Sequence, residues 1–187
     1  MKKLAIFASG SGSNAENIIK YFTATDISIP LIISNKKDAY VHQRAQMLGV
    51  PSFSFTKKEF EETNLVIDVL KEYEIDWVIL AGFLLKVPDS LLKAFPDRVI
   101  NIHPALLPKF GGKGMYGSYV HEAVVAAGEK ESGITIHYVN ENYDEGKIIF
   151  QAKCEVLPTD SADDVAEKIH ALEYLHFPVV IGKTVLQ

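Results

Sequence analysis

Short runs of apolar and β-branched residues recur along the chain, and each is followed by a segment whose apolar residues have helical spacing. The runs are uniformly apolar, which is typical of strands covered by helices on both faces. The successive strand and helix pairs are Leu4–Ala8 and Ser13–Tyr21, Ile29–Ile33 and Asp38–Leu48, Pro51–Phe55 and Lys57–Tyr73, Trp77–Ala81 and Pro88–Phe95, and Arg98–Ile102 and Tyr119–Ala127. This order predicts an α/β fold with a mostly parallel, doubly wound, Rossmann-like sheet.

The last third of the chain follows a different pattern. Ile134–Val139 alternates between apolar and polar residues, and Lys147–Ala152 follows after a short polar turn. Because that turn is too short for a parallel crossover, we expect an antiparallel strand pair near the C-terminus. A final helix is expected from Ser161 towards Phe177, with Pro178 as its end. No repeat or linker interrupts the pattern, so residues 1–187 are expected to form a single domain.

Composition and charge exclude several classes of protein. With 48% hydrophobic residues the chain has the material for a core, which excludes a disordered or fibrous protein. A net charge of −5 argues against a nucleic-acid partner. The longest apolar run, Trp77–Leu85, is too short to span a membrane, and the run that starts at Leu4 is too short for a signal peptide. We therefore expect a cytoplasmic protein with no membrane partner.

The sequence contains no convincing metal motif. Cys154 is the only cysteine, so a cysteine-rich site and an intrachain disulfide are excluded. His121-Glu122 lacks the second histidine of a zinc-protease motif. His170 and His176 are spaced too far apart to present two ligands on one helical face. We predict no metal.

A glycine-rich loop follows the first predicted strand. Gly10, Gly12 and Ala15 match the dinucleotide pattern G-x-G-x-x-G/A at a turn from strand to helix. The free amides of the helix start, the hydroxyl of Ser13 and the amide of Asn14 would suit a phosphate. A structural alternative is a tight turn in which Ser13 only caps the helix. Phosphate binding is favoured, because the loop has more small polar residues than a cap needs.

The segment Asn101–Pro108, Asn-Ile-His-Pro-Ala-Leu-Leu-Pro, is the most informative part of the sequence. Strand alternation places Asn101 and His103 on the same side. An amide beside an imidazole can stabilise an oxyanion, and the imidazole can also move a proton near neutral pH. Asp144, in a tight polar turn, is expected to orient and charge His103. A packed strand end and a turn-capping aspartate are the structural alternatives, and whether His137 has an accessory or a structural role stays open.

These segments occur in the same order and at similar spacing in one known family. The shared segments are Gly10–Asn14, Ser34–Lys36, Leu80–Phe83, Asn101–Pro108, Gly133–Val139 and Asp144–Gly146. On them, and over nearly its whole length, the chain resembles the phosphoribosylglycinamide formyltransferases, folate-dependent enzymes of purine biosynthesis. The Asn-x-His-Pro segment is shared with all folate-dependent formyltransferases and hydrolases, whereas the glycine loop is more specific to the ribonucleotide site.

The resemblance implies transfer of a formyl group from 10-formyltetrahydrofolate, as co-substrate, to the amine of glycinamide ribonucleotide through a tetrahedral intermediate. Asn101 and protonated His103 would stabilise the oxyanion, and Asp144 would assist proton transfer. The implied ribonucleotide-binding residues are Gly12, Ser13, Asn14, Gly82 and Glu173, and the implied folate-binding residues are Leu84, Leu85, Val87, Val139, Asn140 and Asp144. We expect a monomer or weak homodimer, although the sequence does not decide between them.

Three features depart from the family's pattern. Many relatives carry an arginine where Leu85 stands, so the folate contact there must differ. The glycine-rich loop Lys109–Ser118 is longer than usual and is interpreted as a mobile lid. His170 stands where relatives place a glutamine or lysine near the phosphate, which leaves that contact open.

Four alternative functions fit part of the sequence. A folate deformylase would use the same catalytic residues but usually carries an extra N-terminal domain, for which no room is expected before Leu4. A transfer-RNA formyltransferase would need a C-terminal domain and a basic surface. An NADP-dependent reductase would use the glycine loop and Lys36-Lys37, but it leaves His103 and Asp144 unexplained. The fourth is a nucleotide-binding module without catalysis. Loss of turnover with retained ligand binding in His103→Ala would contradict it.

Overall fold

Seven strands form one sheet in the computed structural model, which describes residues 1–187. In chain order the strands are β1 (Lys2–Phe7), β2 (Ile27–Ser34), β3 (Ser52–Ser54), β4 (Trp77–Leu80), β5 (Val99–His103), β6 (Glu131–Tyr138) and β7 (Ile148–Glu155). Their spatial order is β3-β2-β1-β4-β5-β6-β7. Pairing is parallel from β3 to β5, and β6 runs antiparallel to both β5 and β7. The predicted mostly parallel sheet with antiparallel strands near the C-terminus is therefore confirmed.

Seven helices cover the two faces of this sheet. They are α1 (Ser13–Tyr21), α2 (Val41–Met47), α3 (Lys57–Glu62), α4 (Leu65–Glu72), α5 (Asp89–Ala94), α6 (Ser118–Ala126) and α7 (Ala162–Val185). One apolar layer contains residues of α1, α2, α6 and α7, and the opposite layer contains residues of α3, α4 and α5. No helix has both the length and the apolar composition needed to cross a membrane.

The strand β1 shows why its sequence is apolar at every position. Leu4 and Ile6 pack in the layer of α1 and α7, while Ala5 and Phe7 pack in the layer of α3 to α5. Because successive side chains of a strand point to opposite faces, both faces must be apolar when both are covered. All four residues have no exposed surface.

The prediction of one helix over Lys57–Tyr73 was wrong, because the chain breaks at Thr63 into α3 and α4. Thr63 has an extended backbone with φ −131° and ψ 168°. Its hydroxyl donates to the carbonyl of Glu59 at 2.5 Å and accepts from the amide of Leu65 at 3.2 Å. A threonine side chain can replace backbone hydrogen bonds in this way, so it ends one helix and begins the next. The helix expected from Asp38 likewise begins only at Val41, after a turn closed by Ala39 and Lys36.

The prediction that Pro178 ends the last helix was also wrong, because α7 continues to Val185. A proline inside a helix has no amide to donate to the carbonyl four residues earlier. Here that carbonyl belongs to Tyr174, and it accepts instead from the side-chain amide of Asn17 in α1 at 3.1 Å. Beyond the proline the helix still buries Ile181 and Val185. Packing and this replacement hydrogen bond together maintain the helix.

Candidate active site

A cleft of about 570 Å³ opens where the central strands β1, β4 and β5 end. In open α/β sheets ligands bind at this edge, beside the point where the strand order reverses. All residues predicted for catalysis or binding border the cleft, namely Gly12, Ser13, Asn14, Gly82, Leu84, Leu85, Val87, Asn101, His103, His137, Val139, Asn140, Asp144 and Glu173. The structure therefore brings together segments that lie far apart in the sequence.

The end of β5 directs two polar side chains into the cleft. Asn101 and His103 alternate with the core residues Ile100 and Ile102, so they share one side of the strand. His103 is buried, with 4% of its surface exposed. A buried imidazole next to a half-buried amide can interact with a polarised carbonyl under limited competition from bulk water.

Asp144 lies beside His103, as the sequence predicts. Its Oδ2 is 3.6 Å from Nδ1 of His103 and accepts a hydrogen bond from the amide of Gly112 at 2.9 Å. Gly146 allows this approach, because a Cβ there would lie 1.6 Å from the carbonyl oxygen of Tyr138. Only glycine lets the turn close against β6 so that the carboxylate reaches the imidazole.

The backbone of the glycine-rich loop supplies a contact that sequence analysis missed. The carbonyl oxygen of Phe110 lies 2.7 Å from Nε2 of His103. Phe110 has φ +54°, an unusual value for a residue with a side chain. A carbonyl can only accept, so Nε2 carries a proton and Nδ1 is the nitrogen that faces Asp144. No side-chain motif could have revealed this group, because any residue has a carbonyl.

His137, whose role the sequence left open, contacts Asn101 and lies beside Asp144. Its Nε2 lies 3.1 Å from Nδ2 of Asn101 and 3.7 Å from Oδ1 of Asp144. Its Nδ1 donates to the carbonyl of Tyr138 at 2.9 Å. Burial lowers the pKa of His137, and the hydrogen bond to Tyr138 and the charge of Asp144 only partly oppose this. The neutral ring therefore accepts from Asn101, which fixes the orientation of that amide.

The glycine loop after β1 presents backbone amides at the start of α1. Gly12 precedes the helix with φ +74°, and a Cβ there would lie 2.3 Å from Cγ2 of Val41. Because Gly12 holds the capping position and no side chain caps the helix, the alternative in which Ser13 acts as the N-cap was wrong. Arg44 holds the loop from α2, since its Nε donates to the carbonyl of Ser11 at 2.7 Å. Sequence analysis missed Arg44.

A buried carboxyl group stands beside this loop. Nδ2 of Asn14 donates to Oε2 of Glu173 at 2.9 Å, which joins α1 to α7. Burial raises the pKa of Glu173, while the hydrogen bond from Asn14 acts in the opposite direction. Glu173 is only 8% exposed, and what it exposes lies in the cleft. A partly desolvated acceptor of this kind suits hydroxyl groups of a ligand.

Comparison with known proteins supports a family assignment. A family model described as formyl transferase matches residues 2–181. The chain belongs to this family. Phosphoribosylglycinamide formyltransferase of Bacillus subtilis is 38% identical over 97% of this chain and 93% of its own length. The chloroplastic phosphoribosylglycinamide formyltransferase of Arabidopsis thaliana is 41% identical over 97% of this chain, which spans 64% of that relative's length.

A solved structure agrees with these relatives. Phosphoribosylglycinamide formyltransferase from Streptococcus pneumoniae superposes with a TM-score of 0.87 and is 38% identical. The alignment covers 100% of this chain and 100% of that one. The resemblance to phosphoribosylglycinamide formyltransferases that the sequence motifs indicated is thus confirmed. The roles of individual residues are not tested by these similarities and stay predictions.

The end of the second strand, β2, belongs to the scaffold of the cleft and not to its lining. Oγ of Ser9 donates to Oδ1 of Asn35 at 2.6 Å and accepts from the amide of Leu84 at 2.9 Å. These bonds tie the ends of β1 and β2 to the segment after β4. Lys36 and Lys37 are exposed and do not border the cleft. The NADP-dependent alternative, which required those lysines at the ligand, is therefore disfavoured.

The three departures from the family's pattern all lie at or near the cleft. Leu85 is half-buried at the cleft, and the next residue, Lys86, places its Nζ 5.6 Å from the ring centre of Tyr143. His170 is exposed at the cleft, so its contact with a phosphate stays open. The lid interpretation of Lys109–Ser118 also stays a prediction.

Proposed function

We propose that this protein transfers the formyl group of 10-formyltetrahydrofolate to the amine of glycinamide ribonucleotide, in purine biosynthesis. The observation that carries the proposal is the approach of Asp144 to His103, 3.6 Å between Oδ2 and Nδ1, beside the amide of Asn101. An amide, an imidazole and a carboxylate at one point suit acyl transfer, in which an oxyanion forms and a proton must move.

Asn101 and His103 would stabilise the tetrahedral intermediate. When the amine attacks, a C–N bond forms and the formyl oxygen gains negative charge. Asn101 uses one N–H on His137 and has a second for the oxyanion. Protonated His103 would be held by Phe110 at Nε2 and would donate from Nδ1. Loss of one such donor typically lowers kcat by about 10²–10³.

Asp144 would assist the proton transfers. Its carboxylate lies beside Nδ1 of His103, and the hydrogen bond from the amide of Gly112 fixes its position. The attacking amine gives up a proton to Asp144 through a water molecule. The C–N10 bond of the intermediate then breaks, and N10 receives this same proton, returned from Asp144 through water, as it leaves. The products are the formylated ribonucleotide and tetrahydrofolate.

The two ends of the cleft would bind the two substrates. The amides of Gly12 and Ser13, at the positive end of α1, suit the phosphate. Asn14, Gly82 and Glu173 complete the proposed ribonucleotide site. The apolar residues Leu84, Leu85, Val87 and Val139, with Asn140 and Asp144, offer a surface for the folate ring system. The proposed reaction uses no metal and no nucleic-acid or membrane partner. We propose that the protein acts as a monomer or weak homodimer.

Formyl transfer measured with and without glycinamide ribonucleotide tests this function. We expect turnover of 10-formyltetrahydrofolate that requires the ribonucleotide and yields its formyl derivative. Release of formate that ignores the ribonucleotide would instead make the protein a folate hydrolase. No turnover of folate under either condition would refute both.

The role of Asp144 is tested by Asp144→Asn. This variant keeps an oxygen for the amide of Gly112 but removes the charge beside His103. We expect kcat to fall by about 10²–10⁴, with the Kd for the ribonucleotide unchanged. Glu145→Gln is the matched control, because Glu145 is the exposed neighbour and does not border the cleft. Equal losses in both variants would point to the net charge of the turn instead of this contact.

A further inference from the structure

His121 is a polar residue at a core-facing position of α6. The helix follows the glycine-rich loop directly and buries Val120 and Val124 completely or nearly so. His121 lies on the same face and is 5% exposed, yet its side chain borders the cleft. Positions of this kind are normally apolar, so an imidazole here needs a physical reason.

The imidazole lacks a partner within the protein. Its Nδ1 is buried and makes no hydrogen bond to any protein group. Oδ1 of Asn14, from α1, is a second buried atom in the same cleft without a partner, although its Nδ2 is bound to Glu173. Buried polar groups in folded proteins are nearly always hydrogen-bonded. Two buried, unsatisfied atoms on residues that border one cleft indicate a ligand that reaches them once bound.

We propose that His121 binds the ribosyl-glycinamide portion of the ribonucleotide through Nδ1, between the phosphate loop and the catalytic His103. This inference rests on the proposed function, because it takes its ligand from it. The ribonucleotide must extend from the amides of Gly12 and Ser13 to Asn101 and His103, and His121 borders the same cleft. The partner of Nδ1 is thus a hydroxyl or amide group.

The charge state of His121 supports a hydroxyl or amide over the phosphate as its partner. Burial lowers the pKa of His121, and the nearby His170 and His103 lower it further. The ring is therefore neutral near pH 7, with one donor and one acceptor nitrogen. A neutral ring offers no charge to a phosphate dianion, whereas it pairs well with groups that donate and accept.

Three substitutions separate this role from a structural one. His121→Leu removes both nitrogens at similar volume, His121→Asn places an amide near the position of Nδ1, and His121→Gln places it near Nε2. We expect the leucine variant to raise the Kd for glycinamide ribonucleotide about tenfold or more, and the asparagine variant to recover most of it. The glutamine variant should recover less, and KM for the folate should not change.

Thermal unfolding without ligand gives the second readout. Replacing an unsatisfied buried polar group by an apolar one is neutral or stabilising, so His121→Leu should melt at the same or a higher temperature than the parent protein. If His121 were needed only for packing, His121→Leu would lower the melting temperature and leave the Kd of the folded protein unaltered. Binding of ribose 5-phosphate, which lacks the glycinamide group, locates the contact. If Nδ1 contacts a ribose hydroxyl, His121→Leu should bind ribose 5-phosphate more weakly than the parent protein. If Nδ1 contacts the glycinamide, the two proteins should bind it equally.

The outcomes distinguish this inference from the proposed function. If the parent protein binds no glycinamide ribonucleotide, the proposed function fails and this inference with it. If it binds, but His121→Leu leaves that Kd unchanged or raises the folate KM equally, the inference alone is overturned. Should the leucine variant fail to fold, the difference between the asparagine and glutamine variants decides.

Discussion

The carbonyl oxygen of Phe110 holds the imidazole of His103, with 2.7 Å between that oxygen and Nε2. The opposite nitrogen, Nδ1, faces the carboxylate of Asp144 at 3.6 Å. The imidazole therefore lies between a neutral carbonyl, to which it donates a hydrogen bond, and a carboxylate. The first contact sets the tautomer of the neutral ring, and the second places a carboxylate beside the other nitrogen.

Neutral His103 and neutral His137 should consequently be opposite tautomers. His103 donates from Nε2 to Phe110, whereas His137 donates from Nδ1 to Tyr138. We expect the ¹⁵N chemical shifts of the two rings at alkaline pH to report Nε2–H for the first and Nδ1–H for the second. His103→Asn and His137→Asn assign the signals. The same tautomer in both rings would contradict the geometry.

Gly146→Ala should displace Asp144 and lower kcat. An added Cβ would lie 1.6 Å from the carbonyl of Tyr138, so the turn must move away from β6. A displacement of about 1 Å at a reacting group lowers the rate about 100-fold. We expect that fall in kcat, measured beside the free energy of unfolding.

Gly128→Ala is the control for this substitution. Gly128 has φ +64° but open space around a Cβ, so alanine costs about 1–2 kcal/mol of backbone strain there. Its kcat should stay at the parent value. If the two variants lose activity in proportion to lost stability, Gly146 acts only through the fold.

The stability of the protein should fall as the pH drops below 6.5, in part because of His137. Burial lowers its pKa from the ordinary value of 6.5, so the unfolded chain binds more protons than the folded one in that interval. This contribution is therefore fully present above 6.5 and is lost as the pH falls towards the folded pKa. Urea unfolding at about pH 7.5 and about pH 5.5 measures it.

His137→Asn removes this titration and keeps a donor for the carbonyl of Tyr138. The variant should lose less stability than the parent between those two pH values. His121, whose pKa is also lowered by burial, is present in both proteins and cancels in the comparison. If the free energies of unfolding of parent and variant differ by the same amount at both pH values, His137 does not titrate in this range.

The sequence predicted the sheet and the positions of the polar groups well, because both depend on local patterns. The uniform apolar runs reflect burial on two faces, as Ala5 and Ile6 illustrate. Alternation along β5 was enough to place Asn101 and His103 on one side. The carboxyl ends of neighbouring parallel strands then bring the glycine loop to the same cleft.

What the sequence did not predict depends on contacts between distant or featureless groups. The carbonyl of Phe110 has no side-chain signature, and the bond of Arg44 to Ser11 needs α2 to lie against the first loop. Thr63 divides a helix through its own hydroxyl, where the pattern of apolar residues predicted one continuous helix. Tertiary contacts also overrode the helix-breaking tendency of Pro178.

The continuation of α7 past Pro178 should depend on Asn17. Because Pro178 has no N–H, the carbonyl of Tyr174 relies on Nδ2 of Asn17 at 3.1 Å. Asn17→Ala should lower the free energy of unfolding by about 1 kcal/mol. In a Pro178→Ala background the restored backbone amide binds that carbonyl, so the same substitution should cost clearly less. Chemical denaturation of the four proteins gives a double-mutant cycle in which effects of Asn17→Ala on helix propensity cancel.

Asn64→Ala, at an exposed position whose side chain caps no helix, should change stability little in either background. Equal costs for Asn17→Ala in both backgrounds would mean that the helix tolerates the proline by packing alone.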